Sequence, residues 1–158
     1  MSTPNSPQSL WDFALAFYAR PQVADACLQL QDEYQANVCL IIGMHWLDVR
    51  QQHLKEEEFA VLKNHIKAWT QEMVVPLRSL RRRLKLPFEN LAQDDAQEQL
   101  RAAVKHAELL AEKKLLSAIE QWVMSLTALD TSDTFINLER YARELQAPQL
   151  LIEILQRE

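Results

Sequence analysis

At 158 residues and 18.4 kDa the chain has the length of one ordinary domain, enough to bury roughly 68–70% of its unfolded surface without disulfide staples. Its one glycine, Gly43, leaves no glycine-rich phosphate loop, and its net charge of −5 counts against broad nonspecific binding to nucleic acid. Cys27 and Cys39 lie in apolar helical stretches without Cys-x-x-Cys spacing, which predicts buried, reduced thiols and a cytoplasmic setting.

Residues 1–8 are polar, carry two prolines and lack the basic-then-apolar pattern of a secretory signal, so a short disordered lead is expected. Ser9 then has Asp12 three residues on, the spacing of a capping box, ahead of Trp11, Leu15 and Tyr18. A second helix is expected from Pro21 to about Tyr34, with Val23, Cys27, Leu30 and Tyr34 inward. Asn37 caps a third, to about Gln51, whose start is apolar nearly all round, the pattern of a helix surrounded by others. The apolar run from Val38 to Leu47 is too short to span a membrane.

A fourth helix should begin near Glu56 and carry Phe59, Leu62, Ile66, Trp69 and Met73 inward. Pro76 is expected to kink it or split off a piece running from Leu77 to Leu86, which Pro87 ends. From about Gln93 to Leu129 neither proline nor glycine intervenes, and apolar residues advance at helical pitch from Leu100 to Leu129. Such a helix would be about 55 Å long, against a diameter near ~40 Å for a compact globule of this size. It must therefore break near Lys113 and Lys114, or project and meet a partner, an identical chain included. Ser132 is expected to cap a helix through Phe135, Leu138, Tyr141 and Leu145, and Pro148 to open a last one. The pattern predicts an all-α, single-domain bundle of about six or seven helices over residues 9–158, with a long helix near 93–129 and residues 130–158 as a C-terminal extension packed on the bundle.

The stretch Leu10-Trp11-Asp12-Phe13-Ala14, with Tyr18, Pro21, Val23, Cys27-Leu28 and Leu30-Gln31-Asp32, resembles a family of small uncharacterised bacterial proteins, chiefly proteobacterial. Val38, Leu40, Trp46-Leu47, Trp69, Val75-Pro76-Leu77-Arg78, Arg81-Arg82 and Leu84-Lys85 continue the likeness, which covers about residues 10–86 and fades along the long helix. The resemblance implies a bacterial, cytosolic helical protein and transfers no catalytic or binding residue.

Residues 77–88 hold five basic and no acidic side chains, between two net-acidic flanks. On a helix, Arg78, Arg81, Arg82 and Lys85 share one face opposite Leu77, Leu80 and Leu84, so this face could contact a protein partner, phosphate or nucleic acid, or pair with the chain's own acids such as Glu89 or Glu98. Asp94-Asp95-x-x-Glu98 resembles a magnesium-diphosphate triplet in type, but it has no evident second acidic motif and suits a helix start. No histidine has Glu three residues before it, as a di-iron bundle would require, and no other metal or cofactor motif occurs. His45 has Asp48 about one turn on, within reach of a tautomer-fixing hydrogen bond, which makes the pair a candidate ligand site between the third and fourth helices. The sequence thus favours a noncatalytic protein-interaction module, binding a protein partner or itself, over a small-molecule binder or enzyme centred on His45 and Asp48.

Overall fold

The computed structural model describes residues 8–131 and 136–157. The expected lead over residues 1–8 therefore falls, up to residue 7, outside the described residues, as does the Ser132 cap. The described chain is helical almost throughout: α1 (Leu10–Tyr18), α2 (Val23–Tyr34), α3 (Val38–Val49), α4 (Glu56–Trp69), a π-helical turn (Thr70–Val74), α5 (Val75–Arg83), α6 (Asp95–Met124), α7 (Asn137–Leu145) and α8 (Gln149–Gln156). A two-residue antiparallel ladder, not expected from the sequence, pairs β1 (Gln52–His53) with β2 (Asp130–Thr131) and ties the exit of α3 to the segment after α6.

Local chemistry sets several of the helix starts. The Ser9 hydroxyl accepts from the Asp12 amide at 3.1 Å and caps α1, while Glu120 on α6 accepts from the Leu10 amide at 2.8 Å. The Asn37 side chain accepts from the Cys39 and Leu40 amides and starts α3 where expected. From Cys39 to Asp48 every residue of α3 is buried, Gly43 included. A Cβ built on Gly43 would sit 3.1 Å from Ile119 Cγ2, so the glycine is what lets α6 cross α3 this closely.

Around Pro76 the helix divides, but two residues before the expected Leu77: α4 ends at Trp69, a π-helical turn covers Thr70–Val74, and the next piece begins at Val75. The π turn widens the helix just before the proline, with the Val75 amide donating to the Thr70 carbonyl five residues back, and α5 follows directly as Val75–Arg83. The wide turn absorbs the ring that an α-helical backbone would meet as a clash.

Helix α6 is continuous through Lys113 and Lys114, whose ammonium groups lie 5.1 Å and 4.9 Å from the ring centres of Trp11 and Trp69. It ends at Met124, earlier than the expected Leu129, and there the Ser125 hydroxyl donates to the Trp122 carbonyl at 2.6 Å. At 1.5 Å per residue its 30 residues span about 45 Å. Its C-terminal half packs on α1, α3 and α4, whereas its N-terminal half has α5 as its neighbour, and α5 buries none of its own residues.

Beyond α6, α7 packs on α3 and α8 on α2. The buried Asp48 carboxylate accepts from the Asn137 amide and side chain, each at 2.9 Å, and from the Leu138 amide at 3.1 Å, so α3 caps the start of α7. Fully buried Asn137 also donates to the Gln52 carbonyl and accepts from the Leu54 amide. Burial raises the Asp48 pKa against the opposing pull of these donors. Asp48→Ala strands these buried N–H groups and should cost about 3 kcal/mol, at 1–3 kcal/mol per unsatisfied buried donor with partial relaxation. Urea unfolding read by circular dichroism checks this.

Candidate functional site

Arg78, Arg81, Arg82 and Lys85 do not form one open cationic face. Arg78 reaches Glu108 and Glu112 on α6, each at 3.5 Å, and Arg81 closes on Glu108 at 2.5 Å. Arg82 turns to Asp32 on α2, whose carboxyl its guanidinium holds below the usual range. Lys85 lies past the end of α5, exposed, and its carbonyl accepts from the Gln93 side chain. The chain's own acids thus meet three of the four basic groups, but they are Glu108, Glu112 and Asp32 rather than Glu89 or Glu98. Glu98 instead pairs with Arg101, and Asp94 caps α6 by accepting from the Gln97 amide. Among the described residues no three or more His, Cys, Asp or Glu side chains cluster as metal ligands would.

The Arg78–Arg81–Glu108–Glu112 group forms one wall of an open groove of about 690 Å³ between α1, α2, α3 and the α5–α6 pair. Leu15 and Tyr18 of α1, Leu28 of α2, Ile42 of α3 and Leu109 of α6 make its apolar surface, and Lys105 and His106 lie along it. Tyr18, Leu28, Leu109 and Leu15 stand 38%, 41%, 47% and 52% exposed, large apolar side chains gathered on one concavity.

Electrostatics divide the groove. Glu108 is a buried carboxylate held between two guanidinium groups, an arrangement in which each charge compensates the desolvation of the other. Burial raises the Glu112 pKa, as does the neighbouring Glu108 charge, with Arg78 opposing. Burial likewise raises the Tyr18 pKa. Cys39 lines the groove, and burial raises its pKa, while that of Cys27 is pushed up to about 12, so neither thiol is poised as a nucleophile.

His45 and Asp48 lie elsewhere. Neither lines the groove, and the hydrogen bond expected between them is not made, because the Asp48 carboxylate is committed to α7. The His45 ring packs against Phe17 and Phe13, with centroids 4.9 Å and 5.8 Å away. Burial lowers its pKa to about 4, with Arg20 adding to the effect.

Glu108 and Glu112 were not singled out from the sequence, although a signal existed. Val104, Glu108, Ala111 and Leu115 follow one buried stripe of α6, so Glu108 is a carboxylate at a core position, and Arg78 and Arg81 carry the matching spacing on α5.

Because the His45 pKa falls on folding, the unfolded chain binds the proton more tightly. The stability this group contributes is complete above about pH 6.5 and is lost as the pH falls toward 4. Wild type should lose roughly 3 kcal/mol over that window relative to His45→Phe, as 1.36 kcal/mol per pKa unit implies. Urea midpoints of both proteins at pH 7.5, 5.5 and 4 measure it.

No helix among the described residues is long and apolar enough to cross a membrane. No curated protein and no solved structure matches the chain. A family model described as "Protein of unknown function (DUF2390)" matches residues 9–119, which takes the likeness past residue 86 and through most of α6. The chain belongs to the DUF2390 family.

Proposed function

We propose that this protein is a noncatalytic interaction module whose groove receives an amphipathic helical segment of a protein partner. One observation carries the reading: Leu15, Tyr18, Leu28 and Leu109 are exposed together along a concave surface, where apolar anchors spaced three and four residues apart could seat. Along the same groove stands the exposed cation Lys105, while Arg78 and Arg81 are engaged by Glu108 and Glu112, so an acidic residue flanking the anchors on the Lys105 side is the matching chemistry. The thiols nearby are buried and raised in pKa, and His45 is removed from the groove, which supports binding over chemistry.

A small amphiphile is the second reading, favoured by a volume within the 300–1,000 Å³ range of small-molecule pockets. A phosphate or nucleic-acid role for Arg78 to Lys85 is less well supported, since Arg78, Arg81 and Arg82 already have carboxylate partners. We also infer that residues 9–158 act as one domain, with α7 and α8 packed on α3 and α2. A cytoplasmic location in a bacterium fits the free, buried Cys27 and Cys39 together with the family resemblance.

Selection from a displayed library of helical peptides tests the main reading. Enriched peptides should combine spaced apolar anchors with an acidic flank, and Leu28→Asp or Leu109→Asp should weaken them by tenfold or more, about 1.4 kcal/mol, without loss of helicity. Peptides that bind both variants as tightly as wild type would overturn it. Displacement of the selected peptide by a long-chain carboxylate, with no acidic preference among the peptides, would favour the second reading.

A further inference from the structure

Helix α6 carries a second apolar stripe that the fold leaves open. Ala96, Leu100, Ala103, Ala107 and Leu110 follow one another in steps of four, three, four and three, the spacing of a coiled-coil seam. Leu100 and Leu110 are 52% and 53% exposed, Ala96 and Ala103 are exposed, and Ala107 is half-buried. The stripe is separate from the buried positions Val104, Glu108 and Ala111, and from Ala102 and Leu109, which line the groove.

The central part of this stripe is self-complementary. Leu100 and Leu110 stand symmetrically about residue 105, and so do Ala103 and Ala107, so the order Leu, Ala, Ala, Leu reads the same in both directions. A two-fold axis at residue 105 sets a second α6 antiparallel to the first. Each Leu100 then meets the other copy's Leu110, and each Ala103 meets Ala107, as an isologous interface requires. The alanines let the helices approach closely at the centre, and the leucines close the ends. The same operation sets the first turn of α6, with Asp95, across from Lys113 and Lys114 of the other copy, whose ammonium groups also lie over the Trp11 and Trp69 rings of their own chain, whereas a parallel pairing would set like charges together.

We propose that this face of α6 pairs antiparallel with α6 of a second copy of the chain, through Leu100, Ala103, Ala107 and Leu110. Four side chains per copy cover less than the roughly 800 Å² per partner of a standard interface, so the dimer dissociates on dilution. It uses a different face from the groove and stands independently of the groove's occupant.

Sedimentation equilibrium from roughly micromolar to hundreds of micromolar protein tests the pairing. Wild type should show a monomer–dimer equilibrium, and the double variant Leu100→Glu, Leu110→Glu should weaken association by about 100-fold or more. Leu28→Asp, in the groove, should leave it unchanged. If the glutamates reduce helicity, the milder Leu100→Ser, Leu110→Ser pair should give the same direction of effect. For register, mixing the single variants Ala103→Cys and Ala107→Cys under oxidation should give a crosslinked heterodimer in preference to either homodimer. Wild type that stays monomeric throughout, a dimer untouched by the Leu100 and Leu110 changes, or efficient crosslinking of Ala103→Cys to itself would each overturn the proposal.

Discussion

A helix with ten consecutive buried residues has no face to give to water, and α3 imposes that condition on everything around it. Each side of α3 must be covered, by α1, α2, α6 and α7, and the coverage requires close approach at Gly43 and a polar solution at Asp48. The Asp48 carboxylate is inside because α7 begins there. A helix start carries unpaired amides, and a buried start needs an acceptor that the local chain does not supply. Asp48 provides it from 89 residues away in sequence, with Asn137 extending the bonding to Gln52 and Leu54.

Covering α3 occupies the C-terminal half of α6 and leaves the other half to α5 alone. Hydrophobic burial therefore contributes little along the α5–α6 pair, where α5 buries none of its residues, and ion pairs take a larger part in fixing its geometry. The arginines that looked like an exterior patch thereby become part of a wall. A buried carboxylate between two guanidinium groups is weak evidence of stabilisation, since desolvation offsets the attraction, but it orients the pair sharply. Among what remains exposed are large apolar side chains: Leu109 toward the groove, Leu100 and Leu110 away from it.

Most of the architecture was legible in the sequence because helix periodicity and capping are local. The starts of α1 and α3 followed from Ser9 and Asn37, and the long helix from an uninterrupted run of helical spacing. The site was less legible, for three separate reasons. Local spacing sets Asp48 beside His45, whereas its partners come from α7, a pairing that no local spacing encodes. Helical spacing puts the four basic residues on one face, but whether a face meets water or carboxylates depends on the helix packed against it. Glu108, a charge at a core position of α6, is the one local sign that a cationic neighbour must pack there. The π turn and the two-residue ladder depend on the backbone as a whole and left no comparable trace.

The π turn, in turn, decides which residues of α5 meet α6. An extra residue in a helical turn advances the chain by one position, so every side chain after it is rotated by about 100° relative to an unbroken helix of 3.6 residues per turn. Trp69 lies immediately before the turn and is pinned to α6 by its indole N–H, which donates to the Ala111 carbonyl at 2.9 Å. With that anchor fixed, a regular helix through Pro76 would carry Arg78 and Arg81 away from Glu108. The insertion turns them onto it. Proline thus acts here through the register it forces on the residues that follow as much as through the bond it removes, and the charge arrangement in the groove wall is set by a backbone feature one to two turns upstream.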